Sequence, residues 1–302
     1  MAPIKKKLTC IILGGNGLLG NSLQKVFISL GVDFLAPTRE MLDLTDQKLL
    51  LSYLNRVKPS FVVNCAAWTD VDSAESNENS VRKINTNLPL SLVLASLDLG
   101  FRLIQISTDY VFSGIRKEPW TELDVPSPLG VYGKSKAEAE EVILKLNPTN
   151  SVIIRTAWLY GITKDNFAKK ICRKIINLES EIEVVADQFG QPTLVTDLAF
   201  KIAEVVLSEI PAGIYHGTNG GSASWFDFAQ SLVEMSGYRN IQLFPISRIE
   251  LDLKAERPQY TVLGHDNWCS NGLSPIRNWE IALHEVFPIL FDSVLNEVKN
   301  VN

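Results

Sequence analysis

The sequence predicts an α/β protein: a doubly wound parallel sheet followed by a smaller C-terminal lobe. Three observations carry that expectation. Short apolar runs alternate with helical periodicities through the first half, a glycine cluster sits between the first run and the first helix, and the alternation loosens past residue 157. Strands that alternate with helices must pair in parallel, because each crossover passes over a face of the sheet.

The elements follow in order. Residues 8–13 form the first strand, and Leu19, Leu23, Phe27 and Leu30 mark one face of the first helix. Residues 33–36 read as a short second strand, 46–57 as a helix ending before Pro59, and 61–64 as a third strand apolar enough for burial on both faces. Val81, Ile84, Leu88, Leu92 and Ala95 predict a helix that Gly100 stops. A fourth strand spans 103–107, a helix 129–146 and a fifth strand 152–155. Beyond them, helices are expected at 166–177, 196–208 and 225–236, with short strands at 182–185, 214–216 and 241–245.

Composition excludes several classes. A net charge of -5 leaves no electrostatic footprint for nucleic acid. No window supplies the roughly 18 apolar residues of a membrane helix. Lys5, Lys6 and Lys7 precede only a short apolar run, unlike a signal peptide, so a cytoplasmic location is expected. Cys10, Cys65, Cys172 and Cys269 have no paired spacing and read as free thiols; Cys10 and Cys65 lie within apolar runs as small hydrophobes. His216, His265 and His284 are equally scattered, and no metal site is expected.

Three motifs carry chemistry. GGNGLLG at 14–20 spaces Gly14, Gly17 and Gly20 as GxxGxxG. Glycine permits positive φ and close backbone approach, and the following helix offers free N–H groups to a pyrophosphate. After a first strand, this is the signature of a dinucleotide site. The second strand runs into Pro37-Thr38-Arg39, where an NAD site would place an acid on the ribose. Arg39 can pair with a 2′-phosphate, which favours NADPH while leaving NADH open. Tyr132 and Lys136 stand four residues apart on one helix face, where an ammonium would pull the phenol pKa toward neutrality. Thr108 and Asp109 follow the fourth strand, at the carboxyl edge where such sheets place ligands.

Taken together these residues resemble the extended short-chain dehydrogenase/reductases, and within them the dTDP-4-dehydrorhamnose reductase family. The similarity runs through GGNGLLG (14–20), DLTD (43–46), VNCAAWTDVD (63–72) with AES (74–76), STDYVFSG (107–114), PLGVYGKSK (128–136) and RTAWLYG (155–161). It continues through NF (166–167), DQFGQPT (187–193), SWFDFA (224–229) and RP (257–258). The resemblance implies a Rossmann-type domain at 1–157 and a substrate-binding lobe at 158–302, with part of 187–216 returning to the first domain. It implies that Gly14, Gly17, Leu18 and Leu19 hold the pyrophosphate, with Arg39, Asp43 and Leu44 around the adenosine. Ala66, Ala67 and Thr69 would line the nicotinamide side. Tyr132 would donate the proton, tuned by Lys136 and Thr108. Val71, Thr108, Asp109 and Trp158 would contact a sugar nucleotide, and Arg257 would close the lobe over it.

The implied activity is NADPH-dependent reduction of the 4-keto group of dTDP-4-dehydro-β-L-rhamnose. Alternatives are the same chemistry on another 4-keto-6-deoxyhexose nucleotide, and a non-catalytic NADP-binding role resembling the β subunit of methionine adenosyltransferase. The stretch after Arg257-Pro258, Gln259 to His265, departs from the small polar run and Leu-Asp usual in the family, which leaves sugar and base specificity open. Some relatives dimerise through acidic metal ligands. No acids can be placed at the matching positions, so a homodimer is allowed and magnesium is not expected.

Overall fold

The computed structural model describes residues 9–208 and 210–300. In chain order the strands are β1 (Cys10–Leu13), β2 (Phe34–Leu35), β3 (Phe61–Asn64), β4 (Arg102–Thr108), β5 (Ser151–Thr156), β6 (Leu159–Tyr160), β7 (Glu181–Val185), β8 (Phe189–Gly190), β9 (Thr193–Leu194), β10 (Gly213–His216), β11 (Ala223–Ser224) and β12 (Gln242–Ile246). The α-helices are α1 (Leu18–Leu30), α2 (Gln47–Val57), α3 (Val71–Ala74), α4 (Glu78–Arg82), α5 (Leu88–Leu99), α6 (Val131–Leu146), α7 (Phe167–Ile176), α8 (Val195–Leu207), α9 (Trp225–Ser236), α10 (Asp266–Ser270) and α11 (Trp279–Lys299). The start of the expected first strand, Leu8, and the lysines before it lie outside the described residues.

Six strands form one parallel sheet in the order β10-β5-β4-β3-β1-β2. The chain leaves β1 in one direction to β2 and returns on the other side to β3, so the winding reverses beside β1. A crevice opens at the carboxyl ends of strands where the winding reverses. Leu23, Phe27, Leu198 and Ile202, from α1 and α8, cover one face. Leu50, Leu54, Leu92 and Ile143, from α2, α5 and α6, cover the other. A third cluster, including Ile171, Phe228, Leu283 and Leu290, forms the core of the lobe under α7, α9 and α11.

Two departures from the sequence expectations have local causes. The helix expected around Val81 to Ala95 is interrupted by a π-helical turn at Lys83–Asn87 before α5 resumes. Pro89 lacks the N–H that would continue the ladder back to Asn85, and such single π-turns relieve that conflict. The turn leaves Asn85 buried, where its amide bonds Trp68 N and O at 2.8 and 3.1 Å and Ser135 Oγ at 3.0 Å. Second, α11 was not anticipated; it carries Pro288 in its interior. Pro288 is exposed, so the carbonyl it strands on exposed His284 can meet water, while Trp279, Leu283, Phe287, Leu290 and Val294 bury the opposite face.

One ion pair ties α6 to the sheet. Arg155 on β5 is 0% exposed and grips Glu140 on α6 with Nε at 3.0 and 3.1 Å and Nη2 at 2.7 Å. Its guanidinium lies over the Phe112 ring at 4.9 Å, and Nη1 stands 3.4 Å from His216 Nε2. His216 Nδ1 is 2.8 Å from the Gly264 carbonyl, so a neutral ring with its proton on Nδ1 satisfies both contacts. Burial and Arg155 together hold the His216 pKa well below its ordinary value. Breaking such a pair leaves a buried charge uncompensated, so Glu140→Ala should lower stability by about 3–5 kcal/mol in chemical denaturation.

Candidate active site

The crevice beside β1 is a cavity of about 620 Å³. Gly14 ends β1 with φ +77, a left-handed conformation that a side chain rarely adopts. A Cβ there would stand 2.7 Å from Ala66 N, and one at Gly20 would stand 2.3 Å from the Gly14 carbonyl. The turn closes with Gly17 N donating to Gly14 O at 3.0 Å. Gly17 caps α1 without any side-chain partner for the first-turn amides, so those N–H groups and the positive helix end are open to a phosphate.

Gly14, Gly17, Arg39, Asp43, Leu44, Ala66 and Ala67 line this cavity together. Thr69 does not line it and is exposed; Trp68 takes its place, with Cys65, Ser80, Lys83 and Ile84. Leu18 and Leu19 begin α1, and the Leu19 side chain lies in the core, so only its backbone is available to a ligand. Arg39 is exposed at the cavity rim. The neighbouring acids are engaged in local hydrogen bonds. Asp43 accepts from Thr45 N at 2.9 Å and Thr45 Oγ1 at 2.7 Å, and Glu40 bonds Thr38; each contact pulls its carboxyl pKa down.

Tyr132, Lys136, Thr108 and Asp109 meet where β4 ends against the first turns of α6. Gly133 makes the approach possible, since a Cβ there would stand 2.2 Å from the Tyr110 carbonyl. The α6 N-terminus is capped from a distance: Glu75, just past α3, accepts from Val131 N at 2.8 Å. Lys136 is 3% exposed, and its Nζ donates to the Ile106 carbonyl at 2.6 Å. Burial lowers its pKa to about 8, against the opposing pull of Glu140 and Cys65. Burial raises the Tyr132 pKa to about 12; hydrogen bonding with Thr108 pulls it down and Asp109 pushes it up. Asp109 is itself buried, which raises its pKa to about 6.

The expected tuning of Tyr132 therefore takes a different form. The groups that move the phenol are burial, Thr108 and Asp109, while the Lys136 ammonium gives one of its hydrogen bonds to the Ile106 carbonyl. Without a ligand the tyrosine is held in its acid form.

The lobe contributes Arg257 and Trp158. Arg257 Nη2 and Nη1 meet the Asp72 carboxylate at 2.6 and 3.2 Å, and Arg257 also bonds Tyr110. The Tyr110 ring packs edge-on against Tyr132 at 5.7 Å. Val71 opens α3 beside Asp72. Trp158 carries φ 45, strained for a bulky residue, and its indole stacks on Trp225 at 3.5 Å. It remains part-exposed. The sequence assigns no role to Asp72, Glu75, Asn85, Tyr110 or Gly133, although all but Asn85 lie in a quoted motif; their effects depend on partners distant in the chain.

Comparison with known proteins agrees with this geometry. A family model described as the RmlD substrate binding domain matches residues 8–290. A dTDP-4-dehydrorhamnose reductase of Streptomyces griseus is 38% identical over 284 residues, covering 93% of this chain and 93% of that protein. The chain belongs to the dTDP-4-dehydrorhamnose reductase family. A dTDP-4-keto-6-deoxy-D-glucose reductase of Streptomyces niveus is also 38% identical, covering 93% of this chain and 96% of that protein. Among solved structures, a dTDP-4-dehydrorhamnose reductase from Bacillus anthracis in complex with NADP superposes with TM-score 0.89 at 35% identity, covering 93% of this chain and 99% of that one.

The Lys136 environment sets a pH dependence. The ammonium is present below about 8 and is lost as pH rises through that value. Dinucleotide binding should therefore weaken on the alkaline side, by up to about tenfold per pH unit if only the charged form binds. Fluorescence titration should show this limb in the wild type and its loss in Lys136→Met.

Proposed function

We propose that this protein reduces the 4-keto group of a dTDP-activated 4-dehydro-6-deoxyhexose with NADPH, converting dTDP-4-dehydro-β-L-rhamnose to dTDP-L-rhamnose. The observation that carries the reading is the meeting of Tyr132, Thr108 and Lys136 at the same sheet edge as the glycine cradle. The cradle has no room for side chains at Gly14 or Gly20, as a pyrophosphate laid against the α1 N-terminus requires. Gly14, Gly17 and the first amides of α1 would hold the pyrophosphate. Arg39 would meet the 2′-phosphate, with Asp43 and Leu44 near the adenosine and Ala66 and Ala67 near the nicotinamide. Bound there, the cofactor supplies the hydride that the ketone carbon receives.

The chain supplies the rest. Thr108 orients the carbonyl oxygen beside Tyr132. Tyr132, held protonated by burial, gives its proton to the developing alkoxide. Lys136 holds the nicotinamide ribose. Trp158 and Val71 pack against the sugar nucleotide. Arg257, kept charged and oriented by Asp72, meets its negative charge where the lobe faces the sheet.

Reduction of a different 4-keto-6-deoxyhexose nucleotide is the second reading. It is favoured by the Streptomyces niveus relative and by the unusual segment after Pro258. That segment reaches the site, since Thr261 bonds Asp109. The cysteines are free, in keeping with a reducing cytoplasm, where we place the enzyme; a homodimer is compatible with this assignment.

Two experiments test the reading. Tyr132→Phe should lower kcat by ~10²–10⁴-fold while NADPH still binds, because the hydroxyl acts mainly in the transition state. Near-normal turnover in that variant would remove Tyr132 as the donor. If the parent binds NADPH but reduces no 4-keto sugar nucleotide, the protein is a binding subunit. In the second experiment, Arg39→Ala should weaken NADPH and leave NADH nearly unchanged in equilibrium titrations; equal losses would show that Arg39 does not read the 2′-phosphate.

A further inference from the structure

The cavity beside β1 is lined by a second cation to which the reduction assigns no part. Lys83 lines it together with Ser80 and Ile84, while Arg39 lines it from the loop after β2. Lys83 is exposed, and among the described residues its ammonium has no hydrogen bond or ion pair. Arg82, the residue before it, takes the carboxylates of both Glu78 and Glu138. The backbone fixes where Lys83 stands. It opens the π-helical turn, its carbonyl accepting from Leu88 N. That turn is pinned on its inner side by Asn85, which bonds Ser135 Oγ at 3.0 Å, and by Thr86 Oγ1, which donates to the Ser135 carbonyl at 2.9 Å. Single π-turns of this kind occur frequently at functional sites.

Charge decides which part of the cofactor this lysine can serve. The first-turn amides of α1 are already free for the pyrophosphate. The adenosine 2′-phosphate is a monoester, carrying about −1.5 to −2 at pH 7. Arg39 offers it a single positive charge, and Glu40 and Asp43 are close enough to interact with that charge. Among the described residues Arg39 and Lys83 are the cations that line the cavity, and Asp43 is the acid. Without Lys83 the lining would be neutral; with it, the lining is positive toward an anion. A lysine is a compact point charge on a flexible stem, suited to swing onto a phosphate held at the rim. We propose, on the cofactor site assigned above, that Lys83 is the second cation for the 2′-phosphate of NADPH and shares with Arg39 the discrimination against NADH.

Equilibrium titrations of the full chain with NADPH, NADH, adenosine 2′,5′-bisphosphate and ADP test this. The bisphosphate carries the 2′-phosphate without the pyrophosphate, and ADP carries the reverse. Lys83→Gln and Lys83→Arg are compared with the parent and with Arg39→Ala. Lys83 is exposed, so neither substitution disturbs the core, and thermal melts check that each variant is folded. Lys83→Gln should weaken NADPH and the bisphosphate by ~10-fold, the size of one hydrogen bond to a charged group. It should leave NADH and ADP unchanged. Lys83→Arg keeps the charge and should bind NADPH as the parent does. Equal losses on the bisphosphate and ADP would put Lys83 on the pyrophosphate instead, and no loss on any probe would make it a solvated surface lysine; either result overturns the proposal. Loss of the bisphosphate in Arg39→Ala but not in Lys83→Gln removes Lys83 alone and keeps the first cation. A parent that does not distinguish the bisphosphate from ADP removes the 2′-phosphate reading of both residues.

Discussion

The Arg155–Glu140 pair, sealed between β5 and α6, is the interaction on which the site depends. It fixes the helix that carries Tyr132 and Lys136 against the strand that precedes Trp158 and the lobe. A buried pair of this kind is weak evidence for stability as such, because desolvation offsets much of the attraction. Its value here is positional. Arg155 offers a rigid fork that accepts one carboxylate geometry, and Phe112 and His216 close its remaining sides. Glu140 also lies one turn beyond Lys136 on the same helix face, so the negative charge that holds the helix opposes the loss of the lysine's proton.

Burial then sets the chemistry. The same exclusion of water raises Tyr132 to about 12 and Asp109 to about 6 and lowers Lys136 to about 8. Each shift favours the neutral form of its group, as desolvation must. A ketone reductase working in the direction of reduction needs its tyrosine protonated at the start, and this environment provides that form. The spacing of Tyr132 and Lys136 suggested instead a phenol pulled down by a neighbouring ammonium. The spacing places both residues on one helix face but does not say where a long flexible side chain ends. Here Lys136 ends on the Ile106 carbonyl.

Much of the fold was legible because its signals are local. The glycine turn must be glycine, since Gly14 and Gly20 leave no space for Cβ, and the alternation of apolar runs follows directly from a sheet covered on both faces. The helix at Trp225–Ser236 is announced by Ser224 and Asp227, which cap one another. What was not legible depends on distant partners. Asp72 and Arg257 are 185 residues apart, and Glu75 caps a helix whose own N-cap, Gly130, has no side chain to offer. Thr69, expected on the nicotinamide side, is exposed and stands beside Trp68, which lines the cavity. Helix α11 shows the limit of a breaker rule: an exposed proline interrupts one hydrogen bond without ending a helix whose other face is buried.

If the sheet edge, the glycine cradle and the lobe together form one reductase site for a dTDP-linked 4-keto sugar, hydride passes from the cofactor to the sugar. The most direct measurement is isotope transfer. NADPH carrying deuterium at both positions of nicotinamide C4 would be incubated with the protein and dTDP-4-dehydro-β-L-rhamnose, and the sugar nucleotide analysed by mass spectrometry and NMR. One deuterium is expected on the product, at C4 of the hexose. A protein that binds NADPH yet leaves this and other 4-keto-6-deoxyhexose nucleotides free of deuterium would contradict it.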